Sequence, residues 1–154
     1  MALIAEFSVV GTPIPQGSNR AFIRGGKPRI VAGNQGPLER WRGDVRSAVR
    51  PALGRWTGPG LPIAGPVGMR LDFRFARPKG HYHPANSRRA APELRAGAPA
   101  TPANGPDLDK LCRAVLDALT AVVYVDDALV VQLGATKAYA DQAPPGVDVK
   151  VVAL

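Results

Sequence analysis

Four carboxylates flank one short segment of the sequence. Asp107 and Asp109 precede this segment, and Asp126 and Asp127 follow it. Neighbouring carboxylates repel one another, and they are normally kept together by a cation or by shared protons. Mg²⁺ prefers oxygen ligands and usually needs one or two protein carboxylates, with waters and substrate phosphates completing its shell. The residue types and their spacing therefore predict a divalent-metal site that faces a phosphate-containing substrate.

The segment between the acidic pairs has the pattern of a single helix, from Lys110 to about Thr120. Capping of the helix N-terminus could explain one of the two preceding aspartates, but not both. Asp126-Asp127 could be a turn pair, because Asp is favoured in turns. Ten helical residues span about 15 Å, so this pair must fold back along the helix to reach the first, and the sequence leaves that closure open. The apolar residues of the helix lie on one stripe, formed by Leu108, Leu111, Val115, Leu119 and Val122.

The rest of the chain is basic. Residues 1–106 contain 16 Lys and Arg against 5 Asp and Glu, whereas residues 107–154 contain 4 against 7. The whole chain has a formal net charge of +8. A basic body favours a polyanionic partner, because each phosphate contact releases counterions. Solubility alone would explain the basic body but not the acidic island within it, so nucleic acid is the expected partner.

Several classes of protein are excluded by simple features. The single cysteine, Cys112, rules out an intramolecular disulfide framework and favours a reducing cytoplasm. No apolar run is long enough to span a membrane, and residues 1–6 lack the pattern of a secretion signal. A chain of 154 residues suits one domain with its own core. We therefore expect one cytoplasmic domain without a membrane partner.

Local periodicity predicts the elements that position the acidic cluster. Alternating or β-rich runs predict strands, and Gly25-Gly26 predicts a two-residue hairpin turn between two of them. Apolar residues at helical spacing predict a second helix over residues 37–52. The predicted strands cover residues 3–10, 20–24, 27–31, 66–75, 128–139 and 147–154. The expected fold is α/β (α+β), one domain over residues 1–154, with a mixed β-sheet of about five to six strands and two main helices.

Residues 76–105 have no usable periodicity and are rich in Pro, Ala and Gly. Such a segment is usually functional or disordered, and we predict a flexible basic arm that orders on a phosphate backbone. His81 and His83 could ligate zinc, but no cysteine or further histidine lies near them, so zinc is disfavoured and their role stays open. The cations of the arm are Arg77, Lys79, Arg88, Arg89 and Arg95, and those of the hairpin are Arg20, Arg24, Lys27 and Arg29.

The acidic segment resembles the RusA family of Holliday-junction resolvases, which are small, often phage-encoded endonucleases. The resemblance rests on Pro106-Asp107-Leu108-Asp109-Lys110-Leu111, on Ala114-Val115-Leu116-Asp117-Ala118-Leu119, and on Asp126-Asp127. The family pattern is a PDLDN-type motif, a Lys on the next helical turn, a DAL segment and a DD pair. The match is dense over residues 106–137, and looser near Trp41 and at Lys27-Pro28-Arg29.

The resemblance implies a RusA-like, homodimeric endodeoxyribonuclease that depends on Mg²⁺, with Mn²⁺ as a substitute. Such an enzyme resolves four-way junctions in branched DNA by paired symmetric cuts, in DNA recombination and repair, in the cytoplasm of a bacterial host. Asp107 and Asp109 match the two motif carboxylates, and Asp127 matches the catalytic second residue of the pair. All three are implied metal ligands, whereas Asp126 has the weaker claim.

Two positions depart from the family pattern. Lys110 stands where the family has Asn, and Arg113 stands where it has Lys. Arg113 is four residues from Asp109, on the same helix face, and keeps a positive charge for the scissile phosphate, although a guanidinium cannot exchange protons. It could instead be a salt-bridge partner of Asp109 or Asp117. We predict that Arg113 is catalytic, and that DNA phosphates contact Lys27, Arg29, Lys110 and Lys137.

Two alternative functions stay open. One is a metal-dependent nuclease for other branched DNA, and the other is a non-catalytic DNA-binding module whose acids serve as helix cap and turn. Two symmetric cuts need two sites related by a two-fold axis, which predicts a C₂ dimer. The apolar helix stripe and the exposed Val and Leu strand faces are the expected dimer surfaces.

Overall fold

The structure, a computed structural model, describes residues 1–17, 19–86, 88 and 91–154, without the side chains of residues 19–22, 31 and 32. The Arg20 side chain of the predicted basic hairpin and Arg89 of the predicted basic arm lie outside this description. The α+β class is confirmed, with two helices and six strands. The strands are β1 (Ala2–Val10), β2 (Asn19–Arg24), β3 (Lys27–Ala32), β4 (Val67–Phe75), β5 (Val130–Tyr139) and β6 (Gly146–Ala153). The helices are α1 (Gln35–Leu53) and α2 (Leu108–Leu119).

The six strands divide into two sheets. Four form a mixed sheet in the order β1-β6-β4-β5, in which β6 is antiparallel to both neighbours and β4 is parallel to β5. The other two, β2 and β3, pair only with each other in the described structure. Gly25 and Gly26 both have positive φ, at 60° and 74°, which is the backbone that a two-residue hairpin turn requires. The hairpin therefore closes locally, and the main sheet is smaller than the predicted sheet of five to six strands.

The core lies between the sheet and the two helices. Strand β4 buries Val67, Met69, Leu71 and Phe73 and exposes Arg70, as its period of two predicts. Burial of each such side chain contributes about 1.5–3 kcal/mol. Helix α1 contacts β1 and α2, and α2 contacts β5.

The predicted role of the α2 stripe in dimerisation is wrong, because this stripe belongs to the core of the protomer. Leu111, Val115 and Leu119 are fully buried there. The strand faces are different, since Val131 and Leu133 on β5 are 65% and 45% exposed. The exposed strand residues are therefore the part of the predicted dimer surface that is still available.

The parallel pairing of β4 with β5 needs a long crossover, because the chain must return to the same end of the sheet. Residues 76–129 supply it and contain both the arm and α2. Within the described arm, the amide of His83 donates to the carbonyl of Glu93 at 2.8 Å, and the amide of Arg95 donates to the carbonyl of His81 at 2.9 Å. These bonds fold the arm back on itself, and its flexibility stays a prediction.

The arm is attached to the body through Arg77, whose side chain is 5% exposed. Its guanidinium donates to both carboxylate oxygens of Asp141, at 3.0 and 2.8 Å, and to the carbonyl of Pro99 at 2.6 Å. It also lies 4.1 Å above the centre of the Tyr139 ring. The bonds from Arg77 lower the pKa of Asp141. Arg77 thus anchors the arm to the body of the protein, whereas the sequence analysis placed it among the cations of an arm that binds phosphates.

Candidate active site

The motif carboxylates lie at the N-terminus of α2. Asp107 is the N-cap residue, with an extended backbone, yet its side chain makes no capping hydrogen bond. Asp109 is in the first turn, and both carboxylates are exposed. Lys110 lies close by, with its Nζ 3.2 Å from Oδ2 of Asp107. Capping therefore does not occupy either carboxylate, and both lie at the positive end of the helix dipole.

The two residues of the second acidic pair, Asp126 and Asp127, differ in their hydrogen bonds. Oδ1 of Asp126 accepts a hydrogen bond from the amide of Ala128 at 2.8 Å, which caps a short 3₁₀ turn over Asp127–Leu129. The exposed side chain of Asp127 makes no hydrogen bond or ion pair within the described ranges. The turn interpretation thus applies to Asp126, and Asp127 keeps its carboxylate available for another role.

Asp127 lies at the opposite end of α2 from Asp109. Burial raises the pKa of Tyr124, and the nearby charge of Asp127 adds to this effect. The Tyr124 hydroxyl donates to the carbonyl of Leu116, in the last turns of α2, at 2.9 Å. Asp109 instead acts on Cys112, whose thiol pKa is raised by burial and then by that carboxylate. Helix α2 has 12 residues, so it is about 18 Å long.

One chain therefore does not bring the three predicted metal ligands together. No three His, Cys, Asp or Glu side chains of the described residues lie close enough to hold one metal ion. Asp107 and Asp109 share one end of α2, and Asp127 lies near the other. The closure that the sequence left open is absent within a single protomer.

Lys137 connects the end of β5 to the acidic motif. Its Nζ donates to the carbonyl of Pro106, immediately before Asp107, at 3.0 Å. The end of β5 is therefore next to the start of α2, and the two elements run in opposite directions. On the other side, the amide of Gln16 donates to the carbonyl of Lys110 at 2.9 Å. These two contacts hold the motif backbone in place, and a contact of Lys137 with DNA stays a prediction.

Arg113 is exposed and has no ion pair in the described part of the chain. Asp117, one of its two possible helix partners, pairs instead with Arg42 of α1 at 2.6 Å. The guanidinium of Arg113 is therefore available to a phosphate. Sequence reasoning missed Arg42 as a link between the helices, because its partner is remote in sequence and no local pattern marks the pair.

The β2–β3 hairpin presents cations without acidic residues. Lys27 and Arg29 are exposed on β3, and alternate residues of a strand face the same side. Both side chains lack a hydrogen bond or ion pair among the residues described. The hairpin is therefore a positively charged surface that could follow a DNA backbone.

Exposed carboxylates at one helix end, with cations on β3 and α2, are typical of proteins that act on phosphodiesters. Comparison with known proteins supports this class, because the family described as "Endodeoxyribonuclease RusA" matches residues 11–152. The chain belongs to this family of DNA-cleaving enzymes, and the predicted resemblance is confirmed. It is also 30% identical over 147 residues to "Uncharacterized protein YqaN" of Bacillus subtilis (strain 168), covering 95% of this chain and 94% of the relative.

None of the described helices is long and apolar enough to cross a bilayer.

Proposed function

We propose that the chain is a Mg²⁺-dependent endonuclease that resolves four-way DNA junctions by paired symmetric cuts, in recombination and repair. The observation that carries this proposal is the pair of exposed carboxylates, Asp107 and Asp109, left uncapped at the start of α2 in a chain of the RusA family. Phosphodiester hydrolysis would take place at this acidic helix end, while the rest of the chain is basic and would attract the DNA.

Asp107 and Asp109 suit Mg²⁺, because this ion needs one or two carboxylates and takes its remaining ligands from water and phosphate. When bound, Mg²⁺ polarises a phosphoryl oxygen and lowers the pKa of a bound water, and Mn²⁺ could substitute. Lys110 offsets the repulsion between the carboxylates, since it pairs with Asp107. Arg113, one turn along the same face as Asp109, would bind the scissile phosphate and stabilise charge as the bond breaks.

A dimer would supply the third carboxylate as well as the second cut. The outer edge of β5 has no backbone partner among the described residues, and Val131 and Leu133 are exposed on this strand. An unpaired strand edge is a ready surface for pairing with another chain. Two β5 edges paired antiparallel about a two-fold axis would set the start of one strand beside the end of the other. The partner's Asp127 would then approach the helix end that carries Asp107 and Asp109.

Synthetic DNA substrates, with and without Mg²⁺, test this function. We expect paired, symmetric nicks in a four-way junction only when Mg²⁺ is present. Flap, fork and linear duplex substrates of equal length are the controls. Equal rates on flaps or forks would favour the alternative of a nuclease for other branched DNA. Binding to the junction without cleavage under any metal condition would instead favour a non-catalytic DNA-binding module.

A further inference from the structure

A pocket in the arm has no part in the function proposed above. Its volume is about 640 Å³, which lies within the range of small-ligand sites, about 300–1,000 Å³. The lining includes two aromatic rings, two cations and small apolar side chains, and no acidic side chain. The residues that matter here are Lys79, Tyr82, His83, Pro92 and Arg95.

The pocket is preformed by the fold of the arm. The two segments that line it are joined by the backbone bonds of His83 and Arg95 with the opposite segment. The Arg95 guanidinium is oriented by one bond, from its Nε to the carbonyl of Tyr82 at 2.9 Å, and its terminal N–H groups make no bond to other described residues. The Tyr82 backbone is therefore bonded to a cation that retains free donors, and both residues line the pocket.

We propose that this pocket binds one unpaired DNA nucleotide, with its base against Tyr82 and His83 and its phosphate at Lys79 and Arg95. Every base has a π-face, so stacking on an aromatic side chain tolerates any sequence. The cations add phosphate contacts, which are also independent of sequence. An acidic or peptide ligand without a planar ring would use only half of this lining.

The pocket lies at the same end of β5 as the acidic motif. Arg77 and His81, at the base of the arm, both contact the ring of Tyr139, the last residue of β5. Lys137 lies two residues earlier, about 7 Å along the strand, and contacts Pro106. A strand bound at Asp107 and Asp109 could thus place a neighbouring nucleotide in the pocket. This inference rests on the proposed function, because branch points are where DNA bases lose their pairing partners.

The test uses a fluorescent ten-nucleotide oligothymidylate, the full chain and no divalent metal. We expect that replacing its central nucleotides by abasic residues weakens binding about tenfold, the scale of one or two stacked bases. Tyr82→Leu should weaken binding of the normal oligonucleotide by a similar factor, and the abasic change should then cost little more. Tyr82→Trp should restore the preference for bases. Lys79→Ala should weaken both oligonucleotides, whereas Arg55→Ala, which removes an exposed cation outside the arm, should weaken neither to the same degree.

Equal affinity of the unchanged protein for normal and abasic oligonucleotides would overturn the proposal, whatever the variants do. Base-dependent binding that persists in Tyr82→Leu, with the variant folded by circular dichroism, would also overturn it. Junction cleavage with Mg²⁺ is measured separately. Base-dependent binding at Tyr82 without any cleavage would support the pocket and contradict the proposed nuclease function alone.

Discussion

Each aspartate of the acidic cluster has its own set of contacts. The carboxylate of Asp126 is used by the backbone of its own turn, and that of Asp107 lies beside Lys110. The carboxylate of Asp127 has neither kind of partner in the described structure. Lone pairs that the fold does not use are available to an ion, so the differences in bonding predict different consequences of substitution.

We expect Asp107→Asn, Asp109→Asn and Asp127→Asn to lower single-turnover cleavage on the order of 10²-fold or more, the scale for loss of one transition-state contact. Junction affinity should hold or rise, because each change removes a negative charge that repels DNA. Asp126→Asn is the matched control, since its amide oxygen can still accept the bond from Ala128. Equal loss of binding and cleavage in the three variants would mean that these acids are structural.

Arg113→Ala should lower cleavage by about 10²–10³-fold, because it removes a positive charge from the scissile phosphate. Arg113→Lys should keep most of the activity, since only the charge is needed. Single-turnover rates at saturating protein measure both effects. Circular dichroism should show intact folding, because Arg113 has no internal ion pair in the described structure to lose.

Lys110→Ala separates the two cations of the motif. Lys110 is one residue from Asp109 and so lies about 100° around the helix, whereas Arg113 shares its face. We therefore expect a mild effect of Lys110→Ala on the cleavage rate. If Lys110→Ala instead lowers the rate severely and Arg113→Ala leaves it near normal, then Lys110 is the residue that contacts the scissile phosphate.

At the scale of elements, the arm is positioned by one buried cation. Arg77 connects the start of the arm to Asp141 and to the ring that ends β5. Loss of this side chain removes three charge-assisted bonds and a cation–π contact together. The conformation of the described residues between 79 and 95 should therefore depend on Arg77 more than on any exposed ion pair.

Arg77→Ala should accelerate proteolysis within residues 79–95 several-fold, measured by mass spectrometry of the early fragments. Arg70→Ala is the control, because it breaks a similar two-bond pair, with Asp72, on an exposed strand face. Cleavage of the arm at the same rate in both variants would contradict the anchoring role.

The same anchor should respond to acid. Arg77 lowers the pKa of Asp141, so the pair stabilises the folded arm above the ordinary carboxyl pKa. This contribution is lost as the pH falls through the lowered pKa, because the carboxylate then becomes protonated. Hydrogen exchange in residues 79–95 should accelerate over that acid range relative to exchange in α2. Asp141→Asn should already exchange rapidly at neutral pH and should show no further acid response.

Local patterns predicted the elements well but not their partners. The alternation of β4 reports which side is buried, and Gly25-Gly26 specifies a turn, so both could be predicted from neighbours in sequence. The pairing of Arg77 with Asp141 and of Arg42 with Asp117 has no local signal. The direction of β5 relative to α2 also has no local signal. The motif therefore led to the prediction that three carboxylates form one site, whereas this direction keeps Asp127 away from Asp109 within one chain.

At the scale of the whole molecule, we predict a two-fold dimer joined through β5. Sedimentation at micromolar protein should give twice the 16.2 kDa mass of the chain. Leu133→Lys should shift the protein to monomer, because it places a charge beside the paired edge. Leu3→Lys is the matched control, since Leu3 is a similarly exposed leucine on β1, the opposite edge of the sheet. A 16.2 kDa species alone for the unchanged protein would count against the dimer.

Junction binding should depend strongly on salt, because residues 1–106 contain 16 Lys and Arg against 5 Asp and Glu. The logarithm of affinity should fall with the logarithm of salt concentration, with a slope of about −0.9 for each phosphate contact. Lys27→Ala and Arg29→Ala should each make the slope shallower by about one. Arg55→Ala removes the same charge from a position just after α1 and should leave the slope unchanged. If all three variants have the same slope, the hairpin does not contact DNA phosphates.

The pairing of remote strands also affects how the domain folds. Ala2 pairs with Ala153, and Val67 pairs with Val130, so each ladder of the main sheet joins distant parts of the chain. Loop-closure entropy must be overcome before such contacts form, so domains of this kind refold more slowly than helical bundles. Helix α2 and the β2–β3 hairpin need only local contacts. Helix α2 can therefore form early, whereas the contact of Lys137 with Pro106 must wait until β5 has joined the sheet.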